Sequence, residues 1–126
     1  EEKRMSSGYH EVNLSAEAQN VHRALASTQE ELEAVDWYNQ RADVTDDPEL
    51  KEILLHNRNE EIEHAAMLLE WLRRTVPEVH ENLNTYLFTT LPVTQVEESE
   101  AAGGDATENA PSTAGSDGSL GIGRLQ

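Results

Sequence analysis

Glu61 and His64 stand three residues apart in the run HNRNEEIEHAAMLLEWLRR at 56–74. On a helix that spacing sets a carboxylate beside an imidazole. Both positions belong to a seam that otherwise carries apolar residues, between Leu54 and Leu68. A second glutamate, Glu31, lies in EELEAVDWY at 30–38, on the stripe Ala24, Thr28, Glu31, Val35 and Tyr38. Charges placed on a face that packing must bury cost several kcal/mol each unless they are compensated. Two carboxylates and one imidazole, with no thiolate in the chain, are donors suited to iron or manganese.

The elements that must position these residues are two long helices. Ser15 is an N-cap candidate with Glu17 in the first turn behind it. From about Ala16 to Val44 there is no Gly or Pro, and Val21, Leu25, Thr28, Leu32, Val35, Tyr38 and Ala42 recur at spacings of three and four. TDDPE then interrupts the pattern, with Asp47 as N-cap and Pro48 at the first helical position. A second helix is expected from Pro48 to Thr75, with Leu50, Leu54, Asn57, Glu61, His64, Leu68 and Trp71 or Leu72 on its seam. Val76-Pro77 ends it, and EVHENLNTYLF predicts a shorter third helix. The fold class is therefore all-α: an antiparallel two-helix hairpin plus a short third helix.

The turn fixes the register. With its centre near Asp46, Glu31 and Glu61 both lie about 15 residues, or roughly 22 Å, from it, and His64 sits one helical turn further along. Each hairpin thus presents two carboxylates and one imidazole at mid-length. A lone hairpin has no closed core, so self-association is expected, most simply as two hairpins forming a four-helix bundle. Such a dimer holds two single glutamates and two Glu-x-x-His pairs, the ligand inventory of a di-iron or di-manganese bundle.

Other polar residues read differently. Glu30, Glu33 and Trp37 share one face of the first helix, either as solvated surface or as an outer cation site feeding the inner one. Tyr38, about two turns from Glu31, is a core aromatic or a hydrogen-bonding neighbour of the site. Glu60 and Glu63 rotate outward. His10, His22, His56 and His80 have no paired carboxylate in seam register.

The chain carries 25 acidic residues against 9 basic ones, a formal charge of −16. Such a surface disfavours nucleic acid and anionic membranes and attracts cations. No cysteine is present, which excludes disulfides, thiolate zinc and iron–sulfur sites. No apolar run approaches a membrane span, no secretory signal is evident, and the default address is the cytoplasm. Residues 1–14 read as a flexible N-terminus and 15–96 as the helical domain. The stretch 97–117, rich in Gly, Ala, Ser, Thr and acids, reads as a flexible linker. The end, GSLGIGRLQ at 118–126, does not: Leu120, Ile122 and Leu125 are apolar anchors able to lie extended in a groove.

Taken together, EELEAVDWY, HNRNEEIEHAAMLLEWLRR, TYLFT at 85–89 and GSLGIGRL at 118–125 resemble the encapsulated ferritins, ferritin-like cargo of encapsulin nanocompartments. The resemblance implies a ferroxidase that oxidises Fe(II) with dioxygen, with Glu31, Glu61 and His64 binding two iron ions per dimer between subunits. It places Tyr38 at that centre and assigns Glu30, Glu33 and Trp37 to a site through which metal enters. It further implies a ring-shaped decamer of five dimers, with the third helix contributing to subunit contacts. SLGIGRL would be the targeting peptide for an encapsulin shell, so that ferric iron is stored inside that shell. The alternative is a non-catalytic scaffold or cargo protein that only oligomerises and docks to a shell.

Overall fold

The computed structural model describes residues 8–102. Four helices follow one another: α1 (Ala16–Val44), α2 (Pro48–Thr75), α3 (Pro77–Tyr86) and α4 (Val93–Ala101). No strand occurs among the described residues, so the all-α expectation holds. The chain divides into two compact units at Thr75/Val76. The first holds the α1–α2 hairpin, and in the second α3 packs on α4.

The helix boundaries follow from local chemistry. Ser15 adopts extended backbone and its hydroxyl accepts from Ala18 N at 3.0 Å, satisfying one of the free donors at the start of α1. At the other end Thr45 Oγ1 donates to Arg41 O at 2.6 Å, which occupies one of the last free carbonyls. Two residues later Asp47 Oδ2 accepts from Leu50 N at 2.8 Å, and Pro48 fills the first helical position of α2. Between those caps only a three-residue connection remains, which forces the two helices antiparallel.

Where the hairpin helices meet, three of the four buried side chains are alanines. Ala24, Ala42, Ala65 and Leu72 are the buried residues of the two helices. Leu25, Leu32, Leu50, Ile53, Ile62 and Met67 are all exposed by 47% or more. The expected seam of α1 therefore merges two faces: Ala42 on it is buried, whereas Leu25 and Leu32 point away from α2. Three alanines let the helix axes approach closely, and most of the large apolar side chains are left for another surface to cover. A polar tie adds to the contact, Arg58 donating from its guanidinium to Asn39 Oδ1 at 2.9 Å across the hairpin.

Two segments differ from the sequence-based expectation. Residues 8–14 lie against the start of α1. Tyr9 and His22 meet with ring centroids 4.7 Å apart, and Gln19 Nε2 donates to Leu14 O at 3.0 Å. Gly8, at φ +74°, is so close to the His22 ring that an added Cβ would stand 2.9 Å from Cε1. In the second unit α4 continues to Ala101, through the first residues of the stretch read as linker, with Val96 completely buried. Two valines three apart, followed by four polar residues and Ala101, were too little periodicity to signal a helix. The segments 1–7 and 103–126, including Leu120, Ile122 and Leu125, lie outside the described residues.

The last turn of α2 carries a compact ion cluster. Arg73 donates from Nε and Nη2 to the two oxygens of Glu70, both at 2.8 Å, and Arg74 Nε donates to Oε2 at 2.7 Å. The hydrogen bonds from Arg73 and then Arg74 pull the Glu70 carboxyl from 4.5 down to about 2. A folded value below the unfolded one stabilises the helix end above the unfolded value, and that stability is lost as pH falls through the folded value. Glu70→Gln is accordingly expected to lower the melting temperature by a few degrees at pH 7, with the difference closing between pH 4.5 and 2, as read by circular dichroism.

Candidate metal centre

Glu31 comes from the middle of α1, Glu61 and His64 from the middle of α2, and the structure brings their side chains together. His64 Nδ1 lies 3.3 Å from Glu61 Oε1 and 3.4 Å from Glu31 Oε1. One ligand atom from each of the three residues falls within 4.8 Å of the other two. The carboxylates are about three-quarters covered, at 24–25% side-chain exposure, and the imidazole is 42% exposed.

The contact follows from the hairpin with one refinement. Helical side chains lean toward the N-terminus of their own helix, so on antiparallel arms α1 side chains lean away from the turn and α2 side chains lean toward it. His64 is therefore the partner of Glu31 although it stands three residues further from the turn. Arg58 and Asn39 are offset in the same sense.

The electrostatics describe a site short of positive charge. The Glu31 carboxyl is raised above its ordinary value, chiefly because it shares a hydrogen bond with Glu61, then through burial and the negative charge of Glu61; His64 opposes this only in part. Burial works against a charge on His64, yet its hydrogen bonds to Glu61 and Glu31 outweigh that and hold the imidazole above its usual value. Two carboxylates at this distance cannot both ionise at ordinary cost. A divalent cation would relieve that repulsion. Two anionic oxygens and one imidazole nitrogen fit iron or manganese chemically. One hairpin offers three donors, too few to complete an octahedral shell.

The other predicted residues fall outside this cluster. Glu30, Glu33 and Trp37 are exposed along one side of α1, Trp37 at 50%. Tyr38 is half-buried and faces Arg41, whose guanidinium carbon is 5.4 Å from its ring centroid. Glu60, expected to turn away, is placed between two imidazoles, 3.7 Å from His56 Nε2 and 3.9 Å from His64 Nε2. These distances exceed a hydrogen bond, but they put a third carboxylate behind His64. The signal was the spacing His56, Glu60, His64, in which each residue follows the last by four.

Comparison with known proteins agrees with this architecture. The family model described as EncFtn-like matches residues 8–90. A Rhodospirillum rubrum protein named "Encapsulated ferritin-like protein" is 57% identical over 117 residues, covering 90% of this chain and 82% of that one. A "Ferritin-like protein" of Thermotoga maritima is 50% identical over 105 residues, covering 82% of this chain and 92% of the other. A crystal structure of a Nitrosomonas europaea protein aligns with a TM-score of 0.66 at 57% identity, over 68% of this chain and 97% of that one.

The geometry makes a direct prediction for metal binding. Calorimetric titration with Mn²⁺ is expected to show binding to the wild-type chain that Glu31→Gln, Glu61→Gln and His64→Ala each weaken by about tenfold or more. Glu17→Gln, at the exposed start of α1, should bind as the wild type does.

Proposed function

The chain belongs to the EncFtn-like family of encapsulated-ferritin-like proteins, and from that premise we propose that it is a ferroxidase whose di-iron centre is assembled between two subunits. The observation that carries this reading is the convergence of Glu31, Glu61 and His64 to within 4.8 Å at the middle of the hairpin. Its location matters. A cluster midway along both arms stays level with its own copy whether two hairpins pair parallel or antiparallel, so a two-fold partner doubles it to four carboxylates and two imidazoles. The exposed leucines and isoleucines beside it supply an apolar reason for that pairing.

Iron is the substrate, and each Fe²⁺ gives up one electron to dioxygen. The residues do the rest. Glu31 and Glu61 offer anionic oxygens, which favour the higher charge of Fe³⁺ over Fe²⁺ and so pull the reaction forward. His64 supplies a neutral nitrogen donor. Metal entry offsets the negative charge of Glu61 that raises the Glu31 carboxyl above its ordinary value. Tyr38 borders the centre on the α1 side. Glu30, Glu33 and Trp37 form the exposed acidic approach along which Fe²⁺ is gathered.

The name of the Rhodospirillum rubrum relative supports a cargo role. In that role Leu120, Ile122 and Leu125 of the C-terminal SLGIGRL dock into an encapsulin shell in the cytoplasm. Five dimers in a ring would then deliver ferric iron to the shell's interior. No helix among the described residues is long and apolar enough to cross a membrane.

The test is oxygen consumption after anaerobic loading with Fe²⁺. The wild type should consume oxygen in proportion to iron, and Glu31→Ala, Glu61→Ala and His64→Ala should each slow the initial rate by more than about tenfold. Wild-type rates in all three would sink the proposal. Light scattering gives a second check: added Fe²⁺ should shift the protein to larger species, and an unchanged size with iron bound would rule out a centre shared between subunits.

A further inference from the structure

Arg41 is the only Lys or Arg between Arg23 and Lys51, a stretch that carries eight carboxylates. In such surroundings an arginine would be expected to pair with acid. Among the described residues it makes no ion pair; its guanidinium instead lies over two rings, 5.4 Å from the centroid of Tyr38 and 5.8 Å from that of Trp37. Both distances fall inside the range of about 6 Å in which a cation is attracted to an aromatic face. Helical spacing explains how one side chain reaches both, since Arg41 follows Tyr38 by three residues and Trp37 by four. A guanidinium suits the position because it is planar and weakly hydrated, and its charge is permanent.

The two rings belong to different stripes of α1. Trp37 continues the exposed stripe of Glu30 and Glu33, and Tyr38 continues the half-buried stripe of Glu31. A side chain touching both fixes one stripe's aromatic relative to the other's. We infer that Arg41 is a positioning residue that clamps Trp37 and Tyr38 together, holding the aromatic end of the outer acidic approach in register with the inner centre. The clamp itself stands on the geometry of the metal-free chain; its consequence for iron rests on the ferroxidase reading given above. Arg41 also lies in the last turn of α1, where a cation suits the helix dipole, so the test must separate the two roles.

Trp37 reports on the clamp directly once Trp71, the only other tryptophan, is removed by Trp71→Phe. In that background, without metal, time-resolved fluorescence resolves the rotamer populations of Trp37. Arg41→Met keeps the length of the side chain and removes the charge; it is expected to lower the ratio of the dominant to the minor lifetime components by about two- to fivefold. Arg41→Lys keeps a cation over the rings and should stay within about twofold of the parent. The initial rate of iron oxidation should fall with Arg41→Met and recover with Arg41→Lys. A dipole or packing role alone would change the melting temperature and leave the Trp37 lifetimes as they are. Unchanged lifetimes in Arg41→Met, or equal loss in Met and Lys variants, would overturn the clamp. Lifetimes that respond to Arg41 in a parent protein that oxidises no iron would uphold the clamp and overturn the ferroxidase reading.

Discussion

The repulsion between Glu31 and Glu61 is the interaction around which the hairpin is organised. Two carboxylates facing each other across helices, beside a half-buried imidazole, form an arrangement a small domain tolerates only with added positive charge. The metal-free chain meets part of that demand locally, through His64, whose protonation the two glutamates favour and which partly offsets the rise of the Glu31 carboxyl. The remaining demand falls on a cation, and a sequence with 25 acids and 9 bases surrounds the site with a field that draws cations inward.

The packing of the hairpin is consistent with that centre. Alanines at 24, 42 and 65 allow the helices to come close, which lets a side chain as short as Glu31 touch His64 on the facing helix. Longer residues in the same places would widen the gap. The cost is that the pair buries little apolar surface of its own, and Leu25, Leu32, Ile53 and Ile62 remain outside. One choice, mostly small residues inside and large ones outside, therefore yields both a close Glu31–His64 contact and an exposed apolar surface.

Much of this was legible in the sequence because it depends on local rules. Ser15, Asp47 and Pro48 mark helix starts by hydrogen bonds or backbone geometry that involve only their neighbours. A three-residue turn between uninterrupted helices then leaves little freedom in register, and Glu31 could be set near Glu61 and His64 by counting from Asp46. What was not legible depended on direction and on partners. A heptad-like pattern does not say which apolar stripe faces the sister helix and which faces elsewhere, so one seam joins the buried Ala42 to the exposed Leu25 and Leu32. Counting Cα levels ignores the lean of the side chains, which offsets Glu31 and His64 by three residues. Glu60 does turn outward, at 42% side-chain exposure, yet its same-helix neighbours His56 and His64 flank it, which a comparison across the hairpin does not reveal. The placement of residues 8–14 involves the Tyr9–His22 contact, the Gln19–Leu14 hydrogen bond and Gly8, and α4 buries one valine; neither leaves a periodic trace.

In the proposed dimer, three donors on each of two identical hairpins would link association to metal binding. In that dimer each subunit's exposed apolar face would favour the pair, the doubled carboxylates would oppose it, and a bound cation would reverse the sign of the second term. A ligand that binds only the associated form stabilises that form by mass action, so in such a dimer the fraction assembled would depend on the metal and the metal affinity on the protein concentration. Substitutions far from Glu31, Glu61 and His64, on the exposed leucine face, would then weaken metal binding without touching a ligand. Conversely, removing one carboxylate has two opposing effects: it deletes a ligand and it relieves repulsion in the metal-free pair. A loss of metal binding with unchanged or tighter metal-free association is therefore the signature of a ligand at this centre, and parallel loss of both is the signature of the surface that brings the hairpins together.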